Sequence, residues 1–78
     1  MVDWDKPLQI SLDNGRSFRL AAIVYFNEYD EVYCVAMLSG WGYGVFRFYF
    51  GSDGTFIGDN GYGIFDSGDV LIRNSNTH

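Results

Sequence analysis

Apolar and polar residues alternate over short stretches of this chain, and glycine with Asn or Asp interrupts them at close intervals. Leu8-Gln9-Ile10-Ser11-Leu12 has a period of two and reads as a strand. Asp13-Asn14-Gly15 follows, and Asn-Gly is the strongest short hairpin signal. Residues 16–26 read as a long second strand, with Phe18, Leu20, Ala22, Val24 and Phe26 on one face and Arg19, Ala21, Ile23 and Tyr25 on the other. After the polar turn Asn27-Glu28-Tyr29-Asp30, residues 31–39 form a third strand. Val32, Cys34, Ala36 and Leu38 share one of its faces, and Tyr33, Val35 and Met37 the other. Both faces are apolar, which predicts cover on both sides, as in a barrel or sandwich, or an interface on one.

Gly40-Trp41-Gly42-Tyr43-Gly44 ends that strand, because so dense a run of glycine supports neither strand nor helix. Residues 45–50 form a fourth strand with Phe46, Phe48 and Phe50 on one face and Val45, Arg47 and Tyr49 on the other. Gly51-Ser52-Asp53-Gly54 is a tight turn, residues 55–57 a short fifth strand, Ile64-Phe65 a strand fragment and residues 70–72 the last strand. Helix signals are poor throughout. The pattern predicts an all-β fold, a small antiparallel meander closing into an SH3-like or OB-like barrel of five to six short strands. The alternative is a curled meander completed by a dimer. Residues 1–73 form a single domain and residues 74–78 a flexible polar tail.

Composition narrows the picture. A chain of 78 residues allows one core and buries roughly 60–65% of its unfolded surface. Cys34 is the only cysteine and His78 the only histidine, so neither a disulfide nor a Cys/His metal site supports the fold. Dense aromatic packing or self-association is left, and a homo-oligomer is expected. Aromatic residues make 19% of the chain, more than one small core hides, and exposed surplus marks a partner or ligand. A net charge of −5 argues against binding nucleic acid or an anionic membrane. No segment reaches the ~18 apolar residues of a membrane span. The acidic opening lacks the order of a signal peptide, and with the lone thiol this points to the cytoplasm.

Catalytic constellations are missing. A triad needs a histidine placed in the fold, and Cys34 sits mid-strand among apolar face-mates. No carboxylate pair is singled out, and no phosphate-binding motif is present. Asp53-Gly54 and Asp59-Asn60-Gly61 carry the letters of a calcium loop without its spacing, so they are turns. The expectation is a binding protein without enzymatic activity, metal or cofactor.

A short internal repeat draws the candidate site. Gly42-Tyr43-Gly44-Val45-Phe46 is echoed by Gly61-Tyr62-Gly63-Ile64-Phe65. The glycines read either as turn-to-strand junctions or as bare backbone that lets a ligand approach, with Tyr43 and Tyr62 as stacking platforms. Trp41 is either a lid on the core or an exposed anchor. Arg47, flanked on its face by Tyr49, suits a phosphate or carboxylate, or pairs with a cross-strand acid. The candidate ligand- or partner-binding residues are therefore Trp41, Tyr43, Arg47, Tyr49 and Tyr62.

The opening Trp4-Asp5-Lys6-Pro7-Leu8, the turn Asn14-Gly15, the later Asp53-Gly54 and the closing Ile72-Arg73-Asn74 resemble a loose group of small phage and prophage proteins. The resemblance implies a protein that inhibits a host protein, often a defence protein, by occlusion. It also admits sequestration of a nucleotide signal, or an accessory structural role. The partner is accordingly a host protein or a small molecule, with no direct contact to nucleic acid or membrane.

Overall fold

A computed structural model describes residues 2–38, 46–60, 65–66 and 68–75. Six strands carry the fold: β1 (Leu8–Ser11), β2 (Arg19–Asn27), β3 (Val32–Met37), β4 (Arg47–Gly51), β5 (Phe56–Asp59) and β6 (Leu71–Asn74). They form one antiparallel sheet in the order β5-β4-β3-β2-β1-β6. The first five strands are a plain meander, and the last returns beside the first. This is the all-β, barrel-like architecture that the alternation and turn spacing predict. No helix among the described residues is long and apolar enough to cross a membrane.

One face of the curled sheet is the core. Leu8 and Ile10 of β1, Ala21 of β2, Val35 and Met37 of β3, and Phe48 and Phe50 of β4 are buried together with Val70. Phe56 and Phe65 pack against Phe48 at 6.4 and 5.4 Å between ring centroids, so aromatic area replaces the crosslinks this small chain lacks.

The curl is closed at one end by the residues that precede β1. Gly54, in the turn after β4, lies against both Val2 and Ile72, so the two edges of the sheet approach each other there. A Cβ at Gly54 would sit 2.9 Å from Val2 Cγ2, and its φ of +89° suits glycine on its own account. Trp4 stacks on Tyr33 at 4.0 Å and 6°, and its indole N–H donates to the Ser52 carbonyl at 2.8 Å. Asn74 fastens the segment, accepting from the Asp3 N–H at 2.9 Å and donating to the Asp3 carbonyl at 2.7 Å. The opening motif is thus a plug. Asn74, expected at the start of the tail, belongs to β6, and the Ser75 N–H donates to the Pro7 carbonyl at 2.8 Å; residues 76–78 lie outside the described residues.

At the opposite end, the loop between β1 and β2 is organised by a small polar knot. Ser11 is buried, donates to Asp13 at 2.7 Å and accepts from the Gly15 N–H at 2.8 Å. Asp13 in turn accepts from the Ser17 N–H and hydroxyl at 2.9 and 2.8 Å. Asn14 and Gly15 have φ of 59° and 87°, the left-handed pair that Asn-Gly favours. The knot bends residues 16–18 out of the sheet, which is why β2 starts at Arg19 and not at residue 16.

Strict alternation along β2 also fails once. Ile23 pairs with Val35, but the next paired residue is Tyr25, opposite Cys34. Val24 is the extra residue of a bulge, so Tyr25 leaves the face of Ala21 and Ile23, and Phe26 joins Tyr33 on the core side. A second bulge at Ile57 carries β5 from Phe56 to Asp59, past the expected residue 57. The doubly apolar β3 is covered within the chain. Val35 and Met37 lie in the core, and Cys34 and Ala36 on the second face are buried as well.

Candidate functional site

The apolar surface that β3 does not expose is found on β2. β1 pairs only with Arg19, Leu20 and Ala21. Beyond Leu8 the chain leaves the ladder: the Pro7 carbonyl accepts from Ser75 on the β6 side, and the Lys6 N–H turns to the Asp3 carbonyl at 3.2 Å. From residue 22 to residue 27, β2 therefore has β3 on one side and no strand on the other among the described residues. Four consecutive apolar side chains line this free edge: Ile23 is 37% exposed, Val24 45%, Tyr25 45% and Phe26 44%. Tyr29, in the turn just beyond, is 92% exposed.

The turn that ends this edge is held by Asn27, whose side-chain oxygen accepts from the N–H groups of Tyr29 and Asp30 at 3.0 and 3.3 Å. Glu31 adopts a φ of 54°, a left-handed conformation unusual for a non-glycine residue. Phe26 lies 4.5 Å from Tyr33, which stacks on Trp4, so the edge continues into an aromatic row across the plugged end.

The charge is sharply divided. Asp3, Asp5, Glu28, Asp30, Glu31 and Asp53 are exposed on the segments that meet at the plugged end, where Lys6 lies 3.9 Å from Asp3 and Arg73 borders the same depression as Asp53. These six carboxylates outnumber the cations beside them in a chain of formal charge −5. The other four carboxylates, Asp13, Asp59, Asp66 and Asp69, share the rest of the chain with Arg16, Arg19 and Arg47. Several of the six have local duties: Asp53 accepts from the Thr55 N–H at 3.0 Å, which lowers its pKa, and Asp3 is 3.9 Å from Lys6.

Of the residues singled out by sequence, Arg47 and Tyr49 lie on the second face of the sheet, opposite Ala36 and Cys34. Tyr49 shares side-chain hydrogen bonds with Tyr25 and Cys34, and burial pushes its pKa up to about 12. Burial likewise raises the Cys34 thiol, more than its bonds to the two tyrosines and the nearby Arg47 charge lower it. Cys34 is fully buried in this cluster and unreactive, while Tyr25 stays 45% exposed at its rim. Trp41, Tyr43 and Tyr62 lie outside the described residues. Arg47 and Tyr49 point to the opposite face from Phe46 and Phe65, the last residues of the two Gly-Tyr-Gly repeats, which meet on the core side at 5.6 Å.

A cavity of about 180 Å³ opens beside Phe65, lined by Ile10, Leu12, Met37, Asp13, Ser17 and Arg19. It is smaller than the ~300 Å³ at which ligand pockets usually begin. A broader depression of about 320 Å³ at the seam between Val2, Gly54 and Ile72 is shallow. Among the described residues no group of three or more His, Cys, Asp or Glu side chains is placed to hold a metal. The free edge and the charge division escaped the sequence reading, although the unbroken run Ile23-Val24-Tyr25-Phe26 was a signal for the first. No protein-family model, curated protein or solved structure matches the chain.

Proposed function

We propose that this protein is a small acidic binding domain that acts by occluding a surface of a protein partner and catalyses no reaction. In the setting the phage resemblance implies, the partner is a host protein, and a defence protein fits best. The observation that carries this reading is the uncovered edge of β2, with four consecutive half-exposed apolar side chains. Solvated strands of a small domain leave such a run bare only at the expense of solubility, and exposed apolar patches mark association surfaces. The polar rim around an apolar centre is the usual anatomy of such an interface.

A second reading, sequestration of a small ligand such as a nucleotide signal, draws on one observation. The Phe46–Phe65 contact sets the ends of both Gly-Tyr-Gly segments beside the cavity that Arg19 borders. The small volume of that cavity favours the first reading.

Affinity capture from host-cell lysate with the full chain, followed by native mass spectrometry, separates the two. A stoichiometric protein partner is expected. Retention of only a small molecule absorbing near the nucleotide maximum overturns the reading, and so does retention of nothing.

A further inference from the structure

We propose that the free edge of β2 takes up an extended segment of a basic protein as an added strand, with Arg or Lys side chains of that segment held by the carboxylates of the plugged end. This deepens the binding function argued above and rests on it.

The backbone supplies the first argument. Among the described residues, residues 22–27 pair with β3 alone, which leaves the N–H and C=O groups on their other side without a strand partner. An incoming strand satisfies such groups, and this main-chain pairing gives affinity while side-chain pockets give selectivity. Proteins guard open edges with lysine, proline or charged side chains turned inward. This edge reads Ala22-Ile23-Val24-Tyr25-Phe26-Asn27 and holds no charge of its own. Among the described residues its guard is the bulge at Val24, which restricts register.

The charge division names the occupant. The edge runs directly into Glu28, Asp30 and Glu31, and Asp3, Asp5 and Asp53 share that end. The carboxylates of Asp5, Glu28 and Glu31 have no hydrogen-bond or ion-pair partner among the described residues. Tyr29 offers an almost fully exposed ring among them. Carboxylates around an exposed aromatic face select cations, and a guanidinium most of all, since it bonds the acid and stacks on the ring. The chain already contains one such stack, with the Arg73 guanidinium 3.5 Å above the Phe18 ring. A second copy of this chain fits less well, because it brings the same net charge of −5.

The test uses three blocked peptides with the full-length protein: alternating Arg and Val, the same with Glu for Arg, and the Arg/Val peptide with alternate backbone nitrogens methylated. Amide hydrogen exchange and shifts are followed by NMR. The Arg/Val peptide should slow exchange of the solvent-facing amides of residues 22–27 by about tenfold or more, with an effect that weakens as salt rises. The Glu and N-methylated peptides should do neither. In Glu28→Lys/Glu31→Lys, whose melting should stay near wild type, the Arg/Val effect should fall about tenfold. No response to the Arg/Val peptide at millimolar concentration overturns the proposal. So do equal responses to the Glu peptide, protection confined to other strands, or edge protection that grows with the concentration of the protein alone, which makes a second copy the occupant. If the peptide fails while a protein partner is still captured from lysate, strand addition by a basic segment falls and the binding function stands. If capture yields no protein either, both fall.

Discussion

The rings of Phe46 and Phe65 meet edge to face, 5.6 Å apart at 79°. They are the last residues of the two Gly-Tyr-Gly repeats, so the echo in the sequence ends in one shared contact above Phe48. The repeat therefore has a structural duty at its anchors. Phe65→Ala should lower stability by about 3 kcal/mol, the lower end for a Phe-to-Ala change, because Phe65 is only partly buried. A double-mutant cycle with Phe46→Leu and Phe65→Leu in urea denaturation should give a coupling of about 1 kcal/mol. Additive losses contradict the contact.

The plug makes a second prediction. Trp4→Ala removes the stack on Tyr33 and the bond to Ser52, and should destabilise the domain by about 3 kcal/mol in the same assay. Trp4→Phe keeps a ring and loses the N–H, so about 1 kcal/mol should be lost. Equal losses from the two would mean the hydrogen bond and not the stack holds the plug.

Asp13 sets the pH dependence of the loop between β1 and β2. The Ser17 N–H, then the hydroxyls of Ser11 and Ser17, hold its pKa down from 3.8 to about 2. The folded state binds this proton less readily than the unfolded chain. Its contribution is thus complete above the unfolded value and is lost as pH falls through about 2. Asp13→Asn should lower the urea midpoint at neutral pH and flatten its decline between about pH 4 and 2. An unchanged slope contradicts the assignment.

Cys34 should be inert in the native state. It is fully buried between Tyr25 and Tyr49, with its thiol pKa raised. Alkylation by iodoacetamide at mildly alkaline pH should be slower than in urea by about a hundredfold or more. Comparable rates would show that the second face of β3 is open.

Much of the fold was legible because period-two alternation and Asn-Gly or Asp-Gly turns are local signals. Leu8 to Ser11, the faces of β3 and the three phenylalanines flanking Arg47 and Tyr49 needed no tertiary information. The bulges at Val24 and Ile57 were hidden, since an extra residue in a strand looks like ordinary alternation until its partner is known. The knot of Ser11, Asp13 and Ser17 was hidden for a similar reason, as its bonds span a loop that composition describes only as polar. The site was less legible still. Ile23-Val24-Tyr25-Phe26 reads as core when β2 is assumed to be flanked on both sides. Only the register of β1, whose last partner on β2 is Ala21, shows that the other side of residues 22–27 has no strand among the described residues. The gathering of six carboxylates at one end depends on which turns the meander brings together, and no local pattern encodes that.

The central claim is that β2's bare edge is the binding surface, and paired lysine substitutions test it most directly. Val24 and Ile57 are both exposed bulge residues, 45% and 58%, so neither change should disturb the core. Calorimetry with the captured partner should show Val24→Lys weakening binding by at least about 2 kcal/mol, while Ile57→Lys binds like wild type and both melt near the wild-type temperature. Wild-type affinity in Val24→Lys, or a loss confined to Ile57→Lys, would contradict the claim.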